Sequence, residues 1–333
     1  METTSITTTR ERAVDTVKLS DPSPLVFVGG TGRSGTHIVA ELLGHHSTLH
    51  AIPIECRFHA NPKGLADVAT GAATPQEFAT KIRRYWWHRV RFGGRALVRA
   101  RWRARGEGKE RGLHKILDRG VFEAAVLRFE ATTRGRDDGT APEVVAACRA
   151  LFFELLGPLR EGKPGLVEMS CFTVASAPGL ARIFPDALFV HSVRDGRDSG
   201  SSKVSKRQKS HHPEDAASGV EWWEGRLALA EAGYRGLPDR SRLHAVCLDE
   251  LVWGDRERSY SELLAFAGLS DEPAMRAFFD GEMNAQNAHR ERWREGLEVD
   301  EQEAVVAGYE AALRRIETED YHCAELLRRN YER

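Results

Sequence analysis

The stretch Leu25-Val-Phe-Val-Gly-Gly-Thr-Gly-Arg-Ser-Gly-Thr-His37 runs from apolar residues into a turn rich in glycine and hydroxyls, then into an amphipathic segment. Leu25 to Val28 have the continuous apolar character of a buried parallel strand. Gly29, Gly30, Gly32 and Gly35 relax the backbone, and Thr36 opens a helix carried by Ile38, Val39, Leu42 and Leu43. Backbone N–H groups at such a helix start, with the hydroxyls of Ser34 and Thr36, point at an anion. The arrangement is a phosphate cradle. Gly30 to Gly35 keep the spacing of G-x-x-x-x-G-K-[ST], but Thr36-His37 stands where a nucleotide triphosphatase has Lys-[ST]. The Ser or Thr that holds magnesium in such a loop is missing, so this loop suits a phosphate without metal-assisted cleavage of a triphosphate. A glycine-rich turn that merely joins strand to helix is the alternative reading.

A second strand, turn and helix start lie far downstream, where Ala187 to Val193 lead into Arg194-Asp-Gly-Arg-Asp-Ser-Gly-Ser-Ser202. Ligands of open parallel sheets gather at the carboxyl ends of strands. Arg194, with its planar fork of donors, and the Ser202 hydroxyl eight positions on, can therefore converge on one phosphate. Surface ion pairing of Arg194 and Arg197 with Asp195 and Asp198 remains open as a purely structural role.

The elements that must position these groups alternate. Strand patterns recur at 49–54, 165–168, 187–193 and 244–248. Helical patterns occupy 75–105, 119–133, 142–157, 174–183, 197–207, 214–234, 257–268 and 302–328. The fold class is α/β, a P-loop-like parallel sheet with helices on both faces and a helical insertion after the second strand. Residues 1–22 read as a disordered tail and 23–333 as one domain, with a helical, basic insertion at about 75–160. At 333 residues the chain buries a sizeable core, and a net charge of −1 gives no reason to expect nucleic acid. No apolar run approaches the ~20 residues of a membrane span, and the Thr-rich N-terminus lacks a signal-peptide core. Cys56, Cys148, Cys171, Cys247 and Cys323 form no C-x-x-C pair, so a reduced, cytoplasmic protein is the expectation.

Phe27-Val-Gly-Gly-Thr-Gly-Arg-Ser-Gly-Thr36, Glu55-Cys-Arg57 and Val193-Arg-Asp-Gly-Arg197 with Ser202, in this order, resemble the sulfotransferases that use 3′-phosphoadenosine 5′-phosphosulfate (PAPS). Tyrosylprotein sulfotransferases and the bacterial enzymes grouped near them look most similar. The resemblance implies that Arg33, Ser34, Gly35, Thr36 and His37 form the 5′-phosphosulfate loop. It implies that Arg194 and Ser202 bind the 3′-phosphate, that Glu55 is the general base, and that Arg57 meets the substrate. It also makes Arg290 and Arg292, within Asn287-Ala-His-Arg-Glu-Arg-Trp-Arg294, candidates for phosphate contact in a closing loop, against a solvated basic turn anchored by Trp293.

Sulfuryl transfer needs an acceptor oxygen in line with sulfur, a base for its proton, and positive charge where the leaving phosphate develops its own. Glu55 can supply the base and Arg33 the charge, and no metal is required. Glu55 held by Arg57 or Arg33 for structural reasons is the plainer reading, with His59 and His37 as rival bases. Two positions depart from the tyrosylprotein pattern. Met169 stands in the place of a family Lys, and Leu248 in the place of a Tyr. The cation is lost or replaced by Arg33 or another basic residue, and the peptide-tyrosine acceptor is in doubt more than the donor.

Between Lys81 and Lys115, about a dozen Lys and Arg interleave with Tyr85, Trp86, Trp87, Phe92 and Trp102, a pattern that holds an anionic or carbohydrate ligand, lies on a membrane surface or simply faces water. Trp222-Trp223 reads as core. The function expected is PAPS-dependent sulfation of a hydroxyl on a small molecule, lipid or glycan. Peptide-tyrosine sulfation, a P-loop small-molecule kinase and a nucleotide-binding protein without turnover are the alternatives.

Overall fold

The computed structural model describes residues 24–87, 112–205 and 213–332. The tail at 1–22 and most of the basic segment at 81–115 lie outside them. Strand β1 (Leu25–Gly30) is buried along its whole length and sits at the centre of a five-stranded sheet. The others are β2 (Leu49–Ala51), β3 (Gly165–Met169), β4 (Leu188–Val193) and β5 (Leu243–Cys247), in spatial order β2-β3-β1-β4-β5. All pairings are parallel, with Val26 opposite Leu188 and Gly30 opposite Ser192. Each predicted strand exists, and the α/β class holds.

Thirteen α-helices flank the sheet among the described residues. Helix α1 (Thr36–Gly44) returns the chain from β1 to β2. Between β2 and β3 come α2 (Leu65–Ala69), α3 (Pro75–Lys81), α4 (Arg119–Thr133) and α5 (Pro142–Leu156), the expected helical insertion. Then follow α6 (Ala177–Ile183), α7 (Gly196–Val204), α8 (Ala216–Arg235), α9 (Leu248–Val252), α10 (Arg256–Ala267), α11 (Pro273–Glu282), α12 (Val299–Thr318) and α13 (Ala324–Tyr331). The single helix expected over 302–328 is two. Asp320 takes a left-handed φ of 53°, and Glu231 accepts the backbone N–H of His322 at 3.0 Å, so the chain turns there.

Alternation along β1 sorts the core. Leu25 and Phe27 face one side, where Phe27 meets Phe189, Phe184 and Phe152 with ring centres 5.6, 5.7 and 5.9 Å away. Val26 and Val28 face the other, against Val39, Leu42 and Leu43 of α1 and Tyr260 and Phe279 of α10 and α11. With both faces covered, polar groups have access to solvent mainly at the strand ends. The carboxyl ends of β1 and β4 are neighbours, and their connections leave in opposite directions, β1 towards β2 and β4 towards β5. This is the switch point where an open parallel sheet forms a crevice.

Candidate active site

A cleft of about 400 Å³ opens at that point, lined by Gly30–Arg33 and Gly35–His37 of the glycine-rich loop, by Glu55, Arg57, Cys171 and Arg194, and by one side of α8. The loop closes because Gly35 takes a φ of 84°; a β-carbon there would also stand 2.7 Å from Leu248 Cδ2. The N-terminus of α1 has no side-chain cap, which leaves its first N–H groups for an acceptor from outside the helix.

Ser34 departs from expectation. It is fully buried, its carbonyl accepts the Ser192 hydroxyl at 2.5 Å, and its own Oγ packs beside Gly30. Its hydroxyl therefore turns into the sheet instead of the cleft. Arg33 is exposed and held at a φ of 64°, and its Nε–H donates to Ser202 Oγ at 2.9 Å. That bond ties the loop after β1 to the helix after β4. Arg194 lies in the cleft wall with Asp198 at 3.7 Å, Asp249 at 3.8 Å and the His289 carbonyl as partners. The carboxylates stand beyond hydrogen-bond length, and Arg194 Nε, though buried, has no hydrogen-bond acceptor among the described residues. Arg197 instead pairs with Asp195 at 2.6 Å, enclosed by Trp293, Tyr309 and Tyr331. It is a structural residue.

Glu55 follows β2, on the far side of the loop. Arg57 Nε donates to its Oε2 at 2.7 Å, and the Cys171 thiol lies 3.3 Å from its Oε1. His37 Nε2 is 3.9 Å from the same Oε1. Arg57, like Arg33, sits at a φ of 64°. Left-handed backbone at a non-glycine residue costs on the order of 1–3 kcal/mol and persists where surrounding structure holds it. Glu168 does the holding. Fully buried at the end of β3, it accepts the Cys56 N–H at 3.0 Å and the Ser170 hydroxyl at 2.7 Å, while Ser170 Oγ accepts the Arg57 N–H at 3.0 Å. Burial, reinforced by Glu55, pushes the Cys171 thiol up to about 12, so it stays protonated beside the carboxylate.

Five expected residues do not line the cleft: Ser34, Ser202, whose hydroxyl is taken by Arg33, and His59, Arg290 and Arg292. His59 is fully buried, stacked on Phe27 at 5.3 Å and 2.8 Å from Glu168 Oε2; the aromatic core claims it, and it cannot touch a substrate. Arg290 and Arg292 are exposed and line a separate hollow with Trp253 and His289. Their segment is fastened instead by Asp198, which accepts the Glu291 and Trp293 N–H groups at 2.9 and 3.3 Å. Met169 is packed in the core, away from the cleft lining.

Two cations and two aromatics were missed. Lys203 of α7 and Arg226 of α8 line the cleft, with Lys203 Nζ 5.2 Å from the centre of the Trp222 ring and the Arg226 guanidinium 4.6 Å from that of Phe172. Burial, with Arg226 close by, pulls the Lys203 ammonium below its ordinary value. Trp223 is core as expected, but Trp222 faces the cleft. Residues 222, 226, 229 and 230 share one face of a helix, and that spacing was the available signal.

The chain belongs to the sulfotransferase family, whose family model matches residues 24–273. No curated protein sequence matches it. Among solved structures it is similar to the sulfotransferase domain from the curacin biosynthetic pathway, at 14% identity over 79% of this chain and 80% of that one, with a TM-score of 0.45. Sulfotransferase STF1 from Mycobacterium tuberculosis H37Rv is also 14% identical, over 86% of this chain and 77% of its own, with a TM-score of 0.43. The sulfotransferase domain of the Synechococcus PCC 7002 olefin synthase matches at 14% identity over 87% and 94%, with a TM-score of 0.42. No helix among the described residues is long and apolar enough to cross a membrane.

Proposed function

We propose that this sulfotransferase moves the sulfuryl group of PAPS to a hydroxyl acceptor by in-line displacement, with Glu55 as general base. Glu55 takes the hydroxyl proton as the acceptor oxygen bonds to sulfur and the bridging oxygen leaves with adenosine 3′,5′-bisphosphate. The observation that carries this reading is the shared cleft, in which Glu55 Oε1 stands 3.9 Å from His37 of the glycine-rich loop. A carboxylate at that distance from a phosphate cradle is within one acceptor hydroxyl of the transferring group.

The residues suit the donor. The uncapped start of α1, with Thr36 and His37, offers donors to the 5′ end, and Arg194 in the cleft wall offers its charge to the 3′-phosphate. The Arg33–Ser202 bond holds the two halves in register. With Met169 in the core, Arg33 and Lys203 supply the positive charge at the leaving phosphate, in place of the family Lys. Arg57 orients Glu55 and borders the acceptor side. Leu248 against Gly35 leaves no phenol at that wall, which favours a small molecule, lipid or glycan over a peptide tyrosine.

Calorimetric titration with adenosine 3′,5′-bisphosphate, AMP and ATP tests the donor. The bisphosphate should bind tightest and lose at least about tenfold in Arg194→Ala. Glu55→Gln should keep bisphosphate affinity and lose turnover by about 100-fold or more. ATP binding equal to or better than the bisphosphate would return the loop to a kinase.

A further inference from the structure

Among the described residues, Arg226 is the one cleft arginine that the proposed reaction leaves without a task. Arg57 is paired with Glu55, Arg194 with Asp198 and Asp249, and Arg33 is bonded to Ser202. Among the described residues no carboxylate pairs with Arg226, although it is partly buried. Its guanidinium lies 4.6 Å from the Phe172 ring centre and 5.9 Å from that of Trp222. Two aromatic faces hold the charge in place without neutralising it. A half-desolvated cation with no counter-ion is costly, and a bound anion removes the cost.

Its place in the cleft says which ligand the anion belongs to. Phe172 adjoins Cys171, whose thiol touches Glu55 Oε1, so Arg226 stands on the side of the base. The same face of α8 adds Ala230 and the half-exposed Leu229, with Ala175 opposite, and these make an apolar wall leading outward. We infer that the acceptor is a hydroxyl compound with an apolar body and an oxyanion such as a carboxylate, the oxyanion being held by Arg226 while the hydroxyl faces Glu55. This rests on the proposed sulfuryl transfer for its orientation.

The probes are 4-hydroxyphenylacetate and its neutral amide, 4-hydroxyphenylacetamide, titrated calorimetrically into the protein with and without saturating adenosine 3′,5′-bisphosphate. The acid should bind at least about tenfold tighter than the amide, a ratio that needs no variant to measure. In Arg226→Gln the ratio should fall to within about twofold, with Arg226→Lys between and bisphosphate affinity unchanged in both. Equal affinity for acid and amide, or no binding of either, overturns the inference. So does a loss of bisphosphate affinity in Arg226→Gln, because it would assign Arg226 to the donor. If the acid is preferred but the bisphosphate does not outbind ATP, the anion pocket stands and the proposed donor falls.

Discussion

Glu168 shows how one buried side chain can set a site it does not enter. Its carboxylate gathers the Cys56 N–H, the Ser170 hydroxyl and the His59 ring, and through Ser170 it fixes the left-handed Arg57. Glu168→Ala strands those groups and should cost about 3 kcal/mol or more in urea unfolding, with turnover lost well below the unfolding midpoint. Unchanged stability would mean that the turn holds itself. Asp249 poses a different question. It is 2% exposed, and burial, only partly opposed by the Asp195 N–H and Arg194, pushes its carboxyl from 3.8 up to about 6. Between those values the native state binds more protons than the unfolded chain, so this group adds stability as pH falls through 6 towards 4. Asp249→Asn should remove that component. The stability difference between parent and variant should change by about 2.4 kcal/mol between about pH 7 and pH 4, favouring the variant at the higher pH. A flat difference would refute the burial argument.

At the scale of elements, α7 and α8 carry the cations that the motifs do not reveal, and their contact decides where those cations sit. Gly200 and Gly219 let the two backbones touch, since a β-carbon on Gly200 would lie 2.5 Å from the Gly219 carbonyl carbon. Ser202 and Lys203 follow Gly200, and Trp222 and Arg226 lie one and two turns beyond Gly219. Gly219→Val should force the helices apart, cost at least about 2 kcal/mol, and weaken bisphosphate binding through the displaced Ser202. Comparing urea midpoints with calorimetric affinity checks both effects; stability lost with affinity intact would show that α7 stays in place. The N-termini of α3 and α8 are each closed by a capping box, Thr74 with Glu77 and Asp215 with Ser218.

Across the whole molecule, a net charge of −1 conceals a cleft lined, among the described residues, by Arg33, Arg57, Arg194, Lys203 and Arg226 around one carboxylate, Glu55. These cations come from segments after β1, β2 and β4 and from α8, so an anion bound among them clamps parts distant in the chain. Adenosine 3′,5′-bisphosphate at about 100 times its Kd should therefore stabilise the fold by about 2.7 kcal/mol. Denaturation monitored with and without the ligand measures this. The gain should shrink in Arg194→Ala, whereas an equal gain in that variant would place the bisphosphate elsewhere.

Local pattern by itself determined the five strands, the glycine-rich turn before α1 and the placing of Arg194 after β4, because alternation and turn chemistry are properties of neighbouring residues; the second strand is shorter than its pattern, ending at Ala51, so Glu55 stands in the loop beyond it. It did not reveal α11, which begins at Pro273 and buries only Met275 and Phe279. Nor did it reveal the break before α13, which depends on Glu231 reaching His322 from another helix. The spacing of Arg290, Arg292 and His59 was readable, but which way each points was settled by packing: His59 by the Phe27 cluster, the arginines by a segment tied to Asp198. Lys203, Trp222 and Arg226 belong to no motif, and only the close crossing of two helices at paired glycines brings them to the cleft. Sequence thus determines the chemistry available along each strand and loop, and tertiary packing decides which of those groups share one volume.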